Sequence, residues 1–209
     1  MTDADAAGAM SFIFEAGMLK RAKRTGWWIA GQDPESIAEH SFRAAIIGTG
    51  LAAMEGVDPA RVALLCLLHD TQETRVGDIP HISRRYLEAA DNQTVTVDQV
   101  SACPPAVAES IVSAVAEYEA GATMEAVVAR DADKLECLFQ AVEYRHQPRC
   151  SRGSTRVGPH SRPIPLTVWP MRRSLVNHWP GSRPSNSPDE HGWNTGTVAC
   201  CLFSQEVQP

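Results

Sequence analysis

Apolar residues recur at helical spacing along much of this chain, separated by short polar or Gly/Pro-bearing connections, and that periodicity predicts a bundle of helices. Met10, Phe12, Ile13, Phe14, Met18 and Leu19 supply the apolar side of an amphipathic segment running from Ala9 to about Lys23. Arg24-Thr-Gly-Trp27-Trp28 then leads into a loop ending at Pro34. Ser36-Ile-Ala-Glu39 has the spacing of a reciprocal cap, in which the Ser36 hydroxyl accepts from the Glu39 amide while Glu39 reaches back. It predicts a helix to about Glu55 with His40 in its second turn. Gly56 stops that helix, Asp58 caps the next, and Pro59 takes the first helical position. From 59 to about 73 nearly every position up to His69 is apolar, so this helix belongs at the centre of the bundle. Two more helices are expected near 104–119 and 123–146, the second striped with Val127, Val128, Leu135, Leu138, Phe139 and Val142. Neither βαβ alternation nor an internal repeat is visible, and the fold class is all-α.

The pattern stops near Gln147. Nine of the 14 prolines and three of the six cysteines lie in residues 148–209. Prolines at 148, 159, 163, 165, 170, 180, 184 and 188 forbid a helix longer than about two turns through most of that stretch. Of the 19 Lys+Arg, twelve lie in residues 1–147, which also carry 22 of the 25 Asp+Glu; the remainder holds seven Arg, no Lys and three acids. Residues 1–147 therefore read as the folded body, and residues 148–209 as an irregular tail rich in Pro, Arg and Ser. A disordered basic extension fits that composition, although Trp169, Trp179 and Cys200-Cys201 are unusual in one. A change of reading frame near Gln147 fits better, since Arg, Pro, Ser, Cys and Trp without Lys is what an out-of-frame GC-rich gene yields.

Composition then narrows the function. A length of 209 residues suits one domain with an appendage, and 44% hydrophobic residues allow a real core. The net charge of −6 argues against nucleic acid or an anionic membrane as the main partner. Met10 to Met18 is interrupted by Glu15 and Gly17 and makes no signal peptide. The cysteines show no CxxC spacing, and Cys66 and Cys137 fall in apolar helical stretches as inert thiols. The chain reads as soluble and cytoplasmic.

Candidate chemistry centres on His69-Asp70, at the end of the apolar run Val62 to Leu68, with His40 on an earlier helix and Asp133 on a later one. An imidazole and a carboxylate side by side, joined by a second imidazole and a second carboxylate, make a divalent-metal site in a helical bundle. Around the dipeptide runs Leu68-His69-Asp70-Thr-Gln-Glu73-Thr-Arg-Val-Gly77-Asp78-Ile79-Pro80. Upstream stand Leu19-Lys20-Arg21, Arg24-Thr-Gly-Trp27 and Pro34-Glu35-Ser36-Ile-Ala-Glu39-His40-Ser41; downstream stands Asp131-Ala-Asp133-Lys134-Leu135-Glu136, followed by Gln140-Ala141 and Glu143-Tyr144. Taken in this order, from about Phe14 to Gln147, these segments resemble the 5′-deoxynucleotidase branch of the HD-domain metal-dependent phosphohydrolases.

The resemblance implies an HD-domain helical bundle that hydrolyses deoxyribonucleoside 5′-monophosphates. His40, His69, Asp70 and Asp133 would hold one divalent cation, and two imidazoles with two carboxylates suit Mn²⁺, Co²⁺, Fe²⁺ or Zn²⁺ better than Mg²⁺. Asp131 is the rival to Asp133, and the motif register favours Asp133. Glu73, one turn beyond Asp70, would orient or deprotonate the attacking water or protonate the leaving 5′-oxygen, with Asp70 beside it in the catalytic group. The resemblance also implies Glu73, Asp78 and the Ile79 carbonyl as a second metal site, although Asp78 equally suits a turn. Arg24, Trp27 and Asp78 would meet substrate: arginine at the phosphate, an indole beside the sugar to exclude a 2′-hydroxyl, with Trp28 as its neighbour and rival. His81, His146, His160, His178 and His191 have no ligand spacing and read as solvated. The expected partner is a small nucleotide; a homodimer stays open, as do another nucleotide as substrate and a metal-binding but catalytically impaired product.

Overall fold

The computed structural model describes residues 2–146. Among them the elements are α1 (Asp3–Ala16), a 3₁₀ turn (Gly17–Lys20), α2 (Gly26–Ile29), α3 (Ile37–Glu55), α4 (Pro59–Leu68), α5 (Glu73–Val76), α6 (Asn92–Gln99), α7 (Pro105–Ala120) and α8 (Met124–His146). No strand forms among these residues, where only an isolated bridge pairs Lys23 with Ser36. None of their helices is long and apolar enough to cross a membrane. The body boundary at Gln147, the irregular tail and the inferred frame change lie outside the described residues.

The three helices that carry the site pack on one another. Buried Ala44, Leu51 and Ala52 of α3 meet Val62, Leu65 and Cys66 of α4 and Ala129, Ala132 and Leu135 of α8. Their small side chains allow close approach. A Cβ on Gly48 would sit 2.8 Å from Val62 Cγ1 and 3.0 Å from Cys66 Sγ, so any larger residue there would push α3 off α4. The caps are those the sequence predicts: Ser36 and Glu39 bond reciprocally at the start of α3, and Asp58 accepts from Ala60 and Arg61 before Pro59 opens α4.

Three local expectations need correction. The first helix starts at Asp3, six residues early, because Thr2 and Asp5 form a second capping box. Its apolar side is also narrower than the periodicity suggests. Phe12 and Leu19 are buried, whereas Met10, Ile13, Phe14 and Met18 are each about half exposed or more, since α1 docks through Phe12 against Val100 and Ile111. The helix expected over 59–73 ends at Leu68. After His69 the bonds shorten to i→i+3, from Thr71 N to Leu68 O and Glu73 N to Asp70 O, while the Thr71 and Thr74 hydroxyls bond back to Leu68 and Thr71 carbonyls. Finally, α6 has no counterpart in the hydrophobic pattern. Most of its residues are polar, and it holds its place through Asp91 at the N-cap and bonds from Gln72 to Thr96 and from Gln99 to the Thr71 carbonyl.

Candidate functional site

Four side chains from three places in the fold converge on one point. His40 comes from the second turn of α3, His69 and Asp70 from the turn that ends α4, and Asp133 from the middle of α8. His40 Nε2 lies 3.1 Å from Asp133 Oδ1 and 3.7 Å from Asp70 Oδ2. His69 Nε2 lies 3.1 Å from Asp70 Oδ2 and 3.8 Å from Asp133 Oδ1. Asp131, the rival to Asp133, is buried two residues earlier on α8.

The imidazoles are oriented from behind. His69 Nδ1 donates to the Cys66 carbonyl at 2.7 Å, and His40 Nδ1 donates to Glu136, whose carboxylate is fully buried. With the proton held on Nδ1, each Nε2 of a neutral ring is a bare lone pair. Both Nε2 atoms are buried without a hydrogen-bond partner, and both face carboxylate oxygens. Lone pairs gathered on lone pairs need positive charge among them, a bound metal ion or, without one, a proton on Nε2. Ligands about 2.0–2.2 Å from one ion stand about 3.0–3.6 Å apart across octahedral or tetrahedral edges, close to the separations here. The residues present therefore fit a divalent metal ion.

Electrostatics agree. Burial opposes charge on His69, but Asp70 and Asp133 outweigh it and hold the ion-free imidazole well above its ordinary value. Burial likewise opposes charge on Asp133, and His40 and His69 overcome it, keeping the carboxyl well below the usual range. The site is thus rich in groups that want a positive partner.

Behind these four residues stands a second layer, in which Glu35, Glu136, Gln140 and Glu143 lie in the motif segments and Arg43 lies outside them. Glu136 accepts from Arg43 Nε at 2.9 Å and Nη2 at 2.5 Å as well as from His40. Arg43 also donates to Glu143 at 2.7 Å and to Gln140. Glu35, beside Glu136, is pushed up to about 7 by burial first and then by that neighbouring charge. The available signal was spacing: Glu136 stands one turn past Asp133 and Arg43 one turn past His40.

A cavity of about 370 Å³ opens from His69 and Asp70 and is lined by Glu73, Val76, Gly77, Ile79, Arg84, Leu87 and Asn92 among others. Glu73 Oε2 is buried there without a partner. Burial first, then the charges of Asp70 and Asp78, push its carboxyl up to about 8.

Arg24 joins the centre directly. Its Nη1 donates to Asp70 Oδ2 at 3.2 Å and its Nη2 to Cys137 Sγ at 3.5 Å. Asp78 is engaged elsewhere: its Oδ2 accepts from Thr25 N and, at 3.0 Å, from Thr25 Oγ1, tying the Arg24 segment to the Gly77–Pro80 loop. The Ile79 carbonyl accepts from Arg84 Nε at 3.3 Å. Glu73 and Asp78 lie near enough for their charges to interact, while Asp78 Oδ2 and the Ile79 carbonyl are engaged by Thr25 and Arg84. Trp27 packs edge-on against Tyr144, with ring centroids 5.1 Å apart, and is not among the residues lining the cavity. Trp28 is 57% exposed, and His81 is exposed as expected.

An all-helical body with a two-histidine, two-aspartate centre beside an open cavity is a helical bundle whose residues fit a divalent metal ion. The family is specific: the model for the HD domain matches residues 16–157, and the chain belongs to the HD-domain family. It is 32% identical over 150 residues to the 5′-deoxynucleotidase HDDC2 of Dictyostelium discoideum, covering 66% of this chain and 78% of that protein. It is 31% identical to the 5′-deoxynucleotidase hdd1 of Schizosaccharomyces pombe, covering 70% of this chain and 77% of that one. Among solved structures, a predicted metal-dependent phosphohydrolase from Magnetospirillum magnetotacticum matches with a TM-score of 0.56 and 29% identity, over 68% of this chain and 73% of that chain. A conserved hypothetical protein from Pyrococcus furiosus matches with a TM-score of 0.56 and 28% identity, over 80% and 90%.

Proposed function

We propose that this chain is a metal-dependent 5′-deoxynucleotidase, hydrolysing deoxyribonucleoside 5′-monophosphates to deoxynucleoside and phosphate. The observation that carries the reading is the pair of buried, partnerless Nε2 atoms of His40 and His69 facing Asp70 and Asp133 at the head of a cavity that also holds Glu73. The 5′-deoxynucleotidase relatives support the choice of substrate. The body that carries the activity is residues 1–147.

His40, His69, Asp70 and Asp133 would hold the cation, and this nitrogen–oxygen donor set favours Mn²⁺, Co²⁺, Fe²⁺ or Zn²⁺ over Mg²⁺. Bound there, the cation supplies Lewis acidity for the phosphoryl group and lowers the pKa of water. Arg24 binds the phosphate through the guanidinium that now spans Asp70 and Cys137, giving a local positive charge to a chain of net charge −6. Glu73, whose carboxyl is pushed up by burial and by the charges of Asp70 and Asp78, would orient or deprotonate the attacking water or give its proton to the leaving 5′-oxygen. Asp70 orients His69 and Arg24 around the same centre. Asp78 fixes Thr25 and with it the approach of Arg24, and Trp27 steadies the same segment against Tyr144.

Replacing His69 tests the reading. His69→Ala is expected to lose both bound metal and phosphate release while keeping its helical circular dichroism; a variant that retains metal and full turnover would sink the assignment.

A further inference from the structure

Cys137 stands beside the His40–Asp133 pair and has no part in the proposed reaction. It lies one turn beyond Asp133 on α8, so its thiol shares that helix face. One ligand nitrogen of His40, a carboxylate oxygen of Asp133 and Cys137 Sγ all lie within 4.8 Å of one another. His40 is fully buried, and its Nε2, the nitrogen facing Asp133, has no hydrogen-bond partner. A cysteine alone would carry little; a cysteine next to a buried, bare imidazole nitrogen and a carboxylate is a mixed sulfur–nitrogen–oxygen donor set. The polar neighbour of the sulfur is Arg24, whose Nη2 reaches Sγ at 3.5 Å while its Nη1 holds Asp70.

We propose that Cys137 joins His40 and Asp133 in a second, sulfur-containing coordination mode of this centre, taken up by thiophilic divalent cations such as Cd²⁺ and Zn²⁺ and not by Mn²⁺. The proposal rests on the reading of His40 and Asp133 as ligands. Metal–sulfur and metal–nitrogen bonds of about 2.3 and 2.0–2.1 Å put sulfur about 3.5–3.6 Å from its neighbouring ligand atoms in a tetrahedron, so Sγ has to move in by no more than about 1.3 Å. A soft cation gains enough from sulfur to displace the thiol proton: the S–H bond breaks, the metal–sulfur bond forms and the proton leaves to solvent. A hard cation gains too little from sulfur and stays with the nitrogen and oxygen ligands. Inward movement of Sγ withdraws it from Arg24, and the new thiolate charge competes with a phosphate for that guanidinium, so the soft cation occupies the centre at the expense of substrate.

The test titrates Cd²⁺ and, separately, Mn²⁺ into the metal-free full-length chain. The parent is expected to show a sulfur-to-cadmium charge-transfer band in the ultraviolet at one equivalent. Cys137→Ser and Cys137→Ala are expected to lose that band, to bind Cd²⁺ at least about tenfold more weakly, the lower end of what even a supporting residue contributes, and to bind Mn²⁺ with parental affinity. Should the variants fold poorly, X-ray absorption at the cadmium edge on the parent alone decides, with one sulfur neighbour expected. Bands of equal strength in parent and variants, or a cadmium shell of nitrogen and oxygen only, would overturn the proposal. A parent that binds neither cation overturns the centre itself, an outcome distinct from one that binds Mn²⁺ but takes Cd²⁺ without sulfur.

Discussion

Glu136 tests the idea that the metal-facing histidine is held from behind. The residue is fully buried and accepts from His40 Nδ1 and from Arg43 Nε and Nη2. Burial opposes its charge, and His40 and Arg43 hold its carboxyl below the usual value. Glu136→Ala removes one member of a buried charged pair, a change worth about 3–5 kcal/mol when the other charge is left without a partner. Arg43 keeps Glu143 at 2.7 Å, Gln140 and a more distant Glu35, and its side chain is 28% exposed, so the lower end applies. About 3 kcal/mol at roughly 2–4 °C per kcal/mol for a chain of this size lowers Tm by about 6–12 °C. Without its acceptor the His40 ring is free to turn or to change tautomer, and metal affinity should fall about 10–100-fold. Glu136→Gln keeps the shape but sets an amide N–H against one of two donors, and should weaken metal binding with a smaller loss of Tm. Competitive metal titration and thermal denaturation monitored by circular dichroism read both effects. Variants that bind metal as tightly as the parent would show that Glu136 does not orient the centre.

The chemistry and the scaffold can be probed separately. Glu73→Ala should lower kcat by ~10²-fold or more while the metal stays bound, the usual worth of acid–base assistance; a change confined to KM would make Glu73 a binding residue. Glu15 accepts from Thr74, Gln99 and the Nε and Nη2 of Arg75, which ties α1 to α5 and α6. Arg75 above all lowers its carboxyl from 4.5 to about 2, so its stabilisation is complete above the unfolded value and fades as pH falls toward the folded one. The Tm gap between the parent and Glu15→Gln should therefore shrink from about pH 6 to about pH 3, and a gap independent of pH would contradict it.

What the chain discloses in one dimension follows the range of the interactions. The caps of α3 and α4 are local, so the serine, glutamate, aspartate and proline that make them announce both helix starts and put His40 in its turn. Helical register likewise separates Asp133 from Asp131. The break after Leu68 was hidden, because an apolar run followed by threonines looks helical until the hydroxyls bond back to the chain. Polar α6 was hidden as well, since Val95 alone of its apolar residues is buried and its bonds reach the turn beside the site from across the fold. Spacing puts Glu136 one turn past Asp133 and Arg43 one turn past His40, but that the two meet depends on α3 packing on α8, a contact between residues far apart in sequence. The exposure of Ile13 and Phe14 has the same origin: periodicity shows that a face is apolar, and only packing shows how much of it is covered.

The most direct measurement is phosphate release from dAMP and from AMP by the full-length chain, first stripped of metal and then reloaded with Mn²⁺ or Co²⁺. The account predicts no turnover in the stripped protein, turnover restored by the cation, and a faster rate on dAMP than on AMP. Turnover that persists without metal, or a reloaded protein that releases phosphate from neither nucleotide, would contradict it.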